Sequence, residues 1–381
     1  MPPHWSVVPE EVPDAPGTSA FFLASNDGAQ RLRIGSAPAP GSRGYVADGN
    51  GGVTSTDLLT RQWLASNVEY RLGDVVVCTY PKCGTTLTEQ IVLLLLNGGD
   101  AAALDPLSKN ATNSTGKFGK VWPEVCVRPD AECTGERGGP EEFVKMTLAD
   151  FDGLPAPRVI KTHARARDLL GVRRPVPPED PPTRSAVLAD GAKYIVAARN
   201  PYDAVASAFY HAWNPHRSGW PFAAWVEAWL LADAHSGCGG WASWLRGWHD
   251  VAQSPEGRGR VLWIHYEEML KNPEAEVRRV AAFIGIAVDE DDGLIRRVVE
   301  GSSFGAMKAA AEAAAAKGGR SNTAGHLRKG KRGNGLEHFD GCGPTESARL
   351  RELVRAAFHE GLDGTGLTFE CSHGVTLEAT R

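Results

Sequence analysis

The sequence predicts an α/β fold with a central parallel sheet flanked by helices, and three observations predict it. Four short apolar runs rich in β-branched residues occur at 74–80 (DVVVCTY), 158–163 (RVIKTH), 193–199 (KYIVAAR) and 261–267 (VLWIHYE). Runs of this kind suit strands buried on both faces. Helical patterns lie between or after them, and strands alternating with helices favour a parallel sheet covered on both sides. Polar residues gather at three of the strand ends, 82–86, 161–163 and Arg199. Open α/β sheets bind their ligands just beyond such ends.

Taken in chain order, residues 1–50 are rich in Pro, Gly and Ser and read as a mostly irregular arm with a short strand around 20–24. Residues 51–381 read as one domain. Its first strand leads through a Gly-containing turn into 86–97 (TLTEQIVLLLLN), a helix buried on most sides. Residues 201–212 and 222–234 also have helical patterns. The clearest helix is 272–286, with Asn272 as N-cap, Pro273 at the first helical position, and Val277, Val280, Ala281 and Ile284 on one face. The Pro-rich stretch 173–184 reads as a surface insertion, and the Ala-rich stretch 309–317 as a solvated connecting helix. Trp225, Trp229, Trp241, Trp244 and Trp248 fall at helical spacing, which favours core packing over lining a ligand.

Composition narrows the function classes. There are 41 basic and 46 acidic residues, a formal charge of -5, which argues against non-specific nucleic-acid binding. Any anion site must therefore be a local cluster. Seven cysteines are scattered, and Cys126 and Cys133 lack a His partner at zinc-ribbon spacing. Free thiols in a reducing compartment are expected. The longest apolar run, 91–96, is too short to span a membrane, and the first residues lack the basic start and apolar core of a signal peptide. A cytoplasmic protein is the expectation.

The chemistry concentrates in four places. At 79–86 (TYPKCGTT) a strand runs into a helix start, offering backbone N–H groups, two Thr hydroxyls, the Lys82 ammonium and the positive end of a helix dipole. That set suits a phosphate or sulfate. It is not a Walker A sequence, because Lys82 precedes Gly84. Lys161 and His163 stand at a second strand end, where a neutral imidazole would accept a hydroxyl proton. Arg199 ends a third strand just before a helix carrying Asp203 and Ser207. This forms either a second anion site or an Arg199–Asp203 ion pair. The basic loop 327–333 (LRKGKRG) would clamp phosphate groups.

These segments resemble the cytosolic sulfotransferases, which use 3′-phosphoadenosine 5′-phosphosulfate (PAPS). The octet at 79–86 plus Leu87 is similar to the family's TYPKSGTTW, and VIKTHAR at 159–165 to its KTHLP segment. ARNPYDAVASAFYH at 198–211 resembles the 3′-phosphate motif, IHYEEMLKNP at 264–273 the YEDM segment, and LRKGKRGNGLEHF at 327–339 the closing RKGxxGDWKNHF. Five motifs in order make the likeness specific. It implies a P-loop-like strand–loop–helix that binds PAPS and releases PAP, a small-molecule hydroxyl acceptor, and no metal.

Residue roles follow from the resemblance alone. Lys82, Gly84, Thr85 and Thr86 would hold the 5′-phosphosulfate, with Cys83 and Leu87 in the same loop. Arg199, Ser207, Arg328, Lys329 and Gly330 would bind the 3′-phosphate. Tyr266 and Ser302 would lie near the adenosine, with Phe304 and Met307 close by. His163 would be the general base, with Lys82, Lys161 and Ser207 completing the catalytic set. Transfer would be an in-line displacement in which Lys82 neutralises the leaving phosphate.

Several positions depart from the family pattern. Cys83 replaces Ser, and its place beside Lys82 and a helix start suggests a lowered pKa and sensitivity to oxidation. Leu87 replaces the Trp that packs on adenine. Arg165 puts a cation near the acceptor side, and Asn334-Gly335-Leu336 replaces Gly-Asp-Trp. The family's dimerisation segment is not recognisable, so no oligomeric state is carried over. Cys83 and Leu87 are what favour the alternative of a PAP- or PAPS-binding protein with lost or weak turnover. A P-loop kinase would require a second glycine and the Gly-Lys order.

Overall fold

A computed structural model describes residues 5–12, 15–25, 31–37, 46–47, 53–54, 63–64, 66–101, 104, 118–127, 146–169, 188–211, 221–231, 240–288, 293–316, 330, 333–371 and 374–380. Near the N-terminus, β1 (Trp5–Val12), β2 (Ala15–Ser25) and β3 (Arg31–Ala37) form an antiparallel sheet in the order β1-β2-β3. The expectation of a mostly irregular arm is corrected here: the short strand expected around 20–24 is the end of an eleven-residue one. Its Gly and Pro content masked the β-branched and aromatic positions that register it against both neighbours. The two-residue strands β4 (Val46–Ala47) and β5 (Val53–Thr54) pair with each other.

The central sheet has five parallel strands: β6 (Val75–Thr79), β7 (Lys120–Val121), β8 (Val159–Thr162), β9 (Lys193–Ala198) and β10 (Val261–His265). Their order is β10-β9-β6-β8-β7, so the donor-loop strand β6 is central. Every residue of β6 is buried. Period-two alternation divides its side chains between two cores. Val76 and Cys78 join Ile160, Tyr194, Val196 and the tryptophans on one face. Val75 and Val77 join Val159, Ile195 and Ala197 on the other.

Helices cover both faces. α1 (Thr85–Leu96) follows β6 and is buried from Leu87 to Leu95, polar Thr88, Glu89 and Gln90 included. α2 (Pro201–Phe209) follows β9, then α3 (Phe222–Leu231) and α4 (Trp241–Gln253). Next come α5 (Tyr266–Lys271), α6 (Pro273–Ile284), α7 (Leu294–Gly301), α8 (Phe304–Ala316), α9 (Gly335–Asp340) and α10 (Pro344–Leu362). β11 (Thr368–Glu370) and β12 (Thr376–Glu378) form a terminal hairpin-like pair. α6 starts as expected, with Asn272 at the N-cap and Pro273 in its first turn, although the Asn272 side chain donates to Glu268 and makes no capping hydrogen bond. The tryptophans expected in the core are there: Trp225, Trp229, Trp241, Trp244 and Trp248 are all buried. Among the described residues no helix is long and apolar enough to cross a membrane. The Pro-rich stretch 173–184, Arg328 and Lys329 lie outside the described residues.

The amino end of the sheet is pinned by a buried ion pair. Arg158 donates through Nε to Asp74 Oδ1 at 3.0 Å and through Nη2 to Oδ2 at 2.5 Å. Its Nη2 also reaches the Glu69 carbonyl at 2.7 Å. The pair joins the starts of β6 and β8, and parallel pairing then fixes where both strands finish. That register brings the carboxyl ends carrying Lys82 and His163 side by side.

Candidate functional site

The turn after β6 is built for close approach. Lys82 adopts φ 69°, a left-handed conformation unusual for a side-chain-bearing residue. Gly84, the N-cap of α1, has φ 105°. A Cβ on Gly84 would meet Tyr266 Cδ2 at 2.8 Å, so glycine is demanded by both backbone and space. Successive N–H groups around such a turn face one point, where the helix dipole adds positive potential. The Thr hydroxyls do not cap the helix; Gly84 occupies that position without a side chain, leaving Thr85 and Thr86 half-buried at its start.

Thr79 connects this turn to His163. Its hydroxyl lies 2.6 Å from the Thr85 hydroxyl, and its carbonyl lies 2.7 Å from His163 Nδ1. A carbonyl only accepts, so Nδ1 carries the proton and Nε2 keeps a lone pair. His163 is 6% exposed. Burial, then Lys161, holds its pKa well below the ordinary value, with Lys82 adding to the effect. The ring is therefore neutral and basic at Nε2 near neutral pH. Trp122 meets it edge-on, with centroids 5.1 Å apart, and Lys161 Nζ sits 3.7 Å above the Trp122 ring.

Arg199 forms the second cationic point. Its Nη1 donates to the Lys82 carbonyl at 3.1 Å, and its guanidinium lies 4.4 Å from the Tyr266 ring centroid. Burial opposes its charge, but Tyr266, Asp203 and Glu267 outweigh this and push its pKa up. Its Nε is buried and meets no hydrogen-bond partner among the described residues. The ion pair with Asp203 anticipated as the plainer alternative also exists, at 3.5 Å. Asp203 does more: it accepts from Gly333 N at 2.7 Å and Gly335 N at 2.6 Å, anchoring the closing segment against α2. Gly335 is required there, since a Cβ would meet the Tyr202 carbonyl oxygen at 2.3 Å.

Of the remaining sequence-derived positions, Leu87, Tyr266, Phe304, Met307 and Gly330 pack together beside the turn. Gly330 has φ 59°, and a Cβ on it would strike the Phe304 ring at 2.2 Å, so its backbone lies directly against Phe304. Leu87 and Met307 belong to one apolar cluster, with Tyr266 and Phe304 packed against it. Ser302 is buried at the end of α7, and Ser207 is half-buried two turns into α2.

Cys83 requires correction. It is fully buried, and desolvation outweighs the Arg199 charge, pushing its thiol up to about 12. The expected lowering, on which the oxidation sensitivity rested, is reversed because proximity to cations was weighed without burial.

Four groups escaped the sequence reading. Trp122, immediately after the short β7, walls His163. His211 Nδ1 lies 3.2 Å from Lys82 Nζ, one helical turn beyond Ser207. Asn200 donates from both its backbone N (2.9 Å) and its Nδ2 (2.7 Å) to Glu267 Oε1, joining the ends of β9 and β10. The tryptophans of α4 also work as pegs: Trp244 Nε1 donates to the His163 carbonyl at 3.0 Å, Trp248 Nε1 to Ala164 at 3.2 Å, and Trp241 Nε1 to Arg199 at 3.2 Å. The spacing of those tryptophans marks the helix but not the carbonyls they hold.

Comparison with known proteins agrees with this layout. A family profile described as "Sulfotransferase domain" matches residues 72–360. Sulfotransferase 1C2 of Oryctolagus cuniculus is 25% identical over 340 residues, covering 87% of this chain and 98% of the relative. Sulfotransferase 1B1 of Mus musculus is 29% identical over 241 residues, covering 62% and 66%. Among solved structures, retinol dehydratase with androsterone and inactive cofactor PAP superposes with a TM-score of 0.53 at 19% identity, covering 83% of this chain and 88% of that one. The same enzyme with retinol and PAP gives 0.51 at 19% identity, covering 77% and 83%.

Proposed function

The chain belongs to the family of cytosolic, PAPS-dependent sulfotransferases, and we propose that it transfers a sulfuryl group to a hydroxyl of a small-molecule acceptor, with His163 as base. One observation carries the reading: Thr79 holds His163 through its carbonyl and the anion turn through its hydroxyl, so base and donor turn share one register. The site fits a doubly anionic nucleotide. Gly84 and Gly330 let the backbone lie directly against the Tyr266 and Phe304 rings, and Arg199 Nε is a buried donor without a partner among the described residues.

When bound, PAPS supplies an activated sulfuryl group whose leaving group is the 5′-phosphate of PAP. His163 Nε2 takes the acceptor proton as the acceptor oxygen bonds to sulfur. Lys82, Thr85 and Thr86 stabilise the charge that collects on the departing phosphate oxygen. Lys161, held over Trp122, orients groups beside the reacting centre. Arg199 and Ser207, with Arg328, Lys329 and Gly330, bind the 3′-phosphate. Tyr266, Ser302, Phe304 and Met307 border the adenosine, and Leu87 offers an aliphatic surface in place of a stacking ring.

Incubating the protein with sulfur-labelled PAPS and a panel of phenols, alkyl alcohols and steroids tests the proposal. Labelled product is expected from the wild type and not from His163→Ala. Failure of the wild type to label any acceptor, with PAP still bound, would instead favour a binding protein without turnover.

A further inference from the structure

Lys82 stands at a strained backbone position, with its carbonyl pinned by Arg199 and its side chain meeting His211. The imidazole lies at the end of α2, buried, with its backbone N donating to the Ala208 carbonyl at 3.0 Å. Its Nδ1 is 3.2 Å from Lys82 Nζ. An ammonium has three hydrogens and no lone pair, so the ring must be the acceptor, with its own proton on Nε2.

From this juxtaposition we infer that His211 is a positioning residue for Lys82, seating the ammonium that neutralises the leaving phosphate. The inference rests on the role proposed above for Lys82. A lysine stem has four rotatable bonds, and freezing it costs rotamer entropy on each turnover unless a fixed partner holds it. Pinning Lys82 at both its carbonyl and its ammonium leaves little of that freedom. One N–H of the ammonium is directed at His211, which fixes where Nζ sits. His163 and His211 therefore do different work. The first keeps a lone pair free at Nε2 for the acceptor proton; the second spends its Nδ1 lone pair on Lys82. No motif match assigns this second role, because a histidine at the end of a helix has no signature apart from what it touches.

Two substitutions separate seating from packing. His211→Asn keeps an acceptor close to the Nδ1 position, whereas His211→Phe keeps the ring volume and removes the acceptor. The expected result for His211→Phe is a fall in kcat of roughly tenfold to a hundredfold. PAP affinity and the KM for PAPS should move by less than about threefold. His211→Asn should recover most of the lost kcat. A second readout needs no turnover: with trace acetic anhydride, Lys82 modification followed by mass spectrometry should rise several-fold in His211→Phe and return toward wild type in His211→Asn. Unchanged kcat and unchanged Lys82 labelling in His211→Phe would overturn the inference. So would equal losses in both variants accompanied by loss of PAP binding, which would mean His211 only supports the fold. If the wild type transfers no sulfuryl group but Lys82 labelling responds as described, the seat stands and the catalytic reading fails.

Discussion

The two ends of the central sheet each carry a buried arginine beside an aspartate, and they use it in opposite ways. At the amino end, Arg158 spends its donors on Asp74, Asp152 and the Glu69 and Phe151 carbonyls. At the carboxyl end, Arg199 pairs with Asp203 at a longer 3.5 Å, lies over Tyr266, and keeps Nε buried without a partner among the described residues. Backbone conformation shows the same division, because the left-handed Lys82 is at the carboxyl end. A saturated arginine holds strands together, while Arg199, beside the left-handed turn, keeps a donor for the proposed ligand. Strand anchoring and the proposed site thus lie at opposite ends of a strand only five residues long.

The largest expected effect belongs to the carboxyl end. His163→Ala should lower kcat by about 10²- to 10⁴-fold while PAP affinity stays within about threefold, measured by steady-state kinetics and calorimetry. Next in size is Arg158→Met, which leaves Asp74 buried and unpaired. It should cost about 3–5 kcal/mol in denaturant unfolding, with little change in the PAP affinity of the folded fraction. Arg199→Met should show the reverse: PAP binding weakened by about tenfold to a hundredfold with a smaller loss of stability. If Arg158→Met proved the more harmful to PAP binding, the division of labour between the ends would be wrong.

pH sharpens the same comparison. Because His163 is held well below its ordinary pKa of about 6.5, kcat/KM should stay flat through neutrality and fall only at more acidic pH. The stability sign also follows. Between about pH 6.5 and the depressed folded value, the unfolded imidazole binds a proton that the folded one refuses. His163 thus makes the fold less stable as pH drops through that window and contributes nothing above it. His163→Asn should flatten the acid limb of a stability–pH curve. The smallest effect concerns thiols. Iodoacetamide at neutral pH should modify the part-exposed Cys342 and spare Cys83, leaving transfer activity unchanged.

Much of the architecture was legible because buried parallel strands are short and apolar, and all four expected strands are present to within a residue or two at each end. The placement of Lys82, His163 and Arg199 at the carboxyl edge of the sheet was legible for a related reason: polar residues at the ends of such runs fall where the strands finish. Cys83 was misread because its neighbours in sequence are cationic, while its neighbours in space exclude water. Trp122 and His211 act through contacts 41 and 129 residues away in sequence, His163 for the first and Lys82 for the second, and local pattern contains no trace of such contacts. The N-terminal strands were hidden by a Gly- and Pro-rich composition that ordinarily marks loops.

Titrating PAP into the wild-type chain and into Arg199→Met by calorimetry tests the central claim most directly. One equivalent of PAP bound by the wild type, with affinity reduced at least about tenfold in Arg199→Met, is the predicted result. No binding by the wild type, or binding undiminished in the variant, would contradict a donor site at the carboxyl end of the sheet.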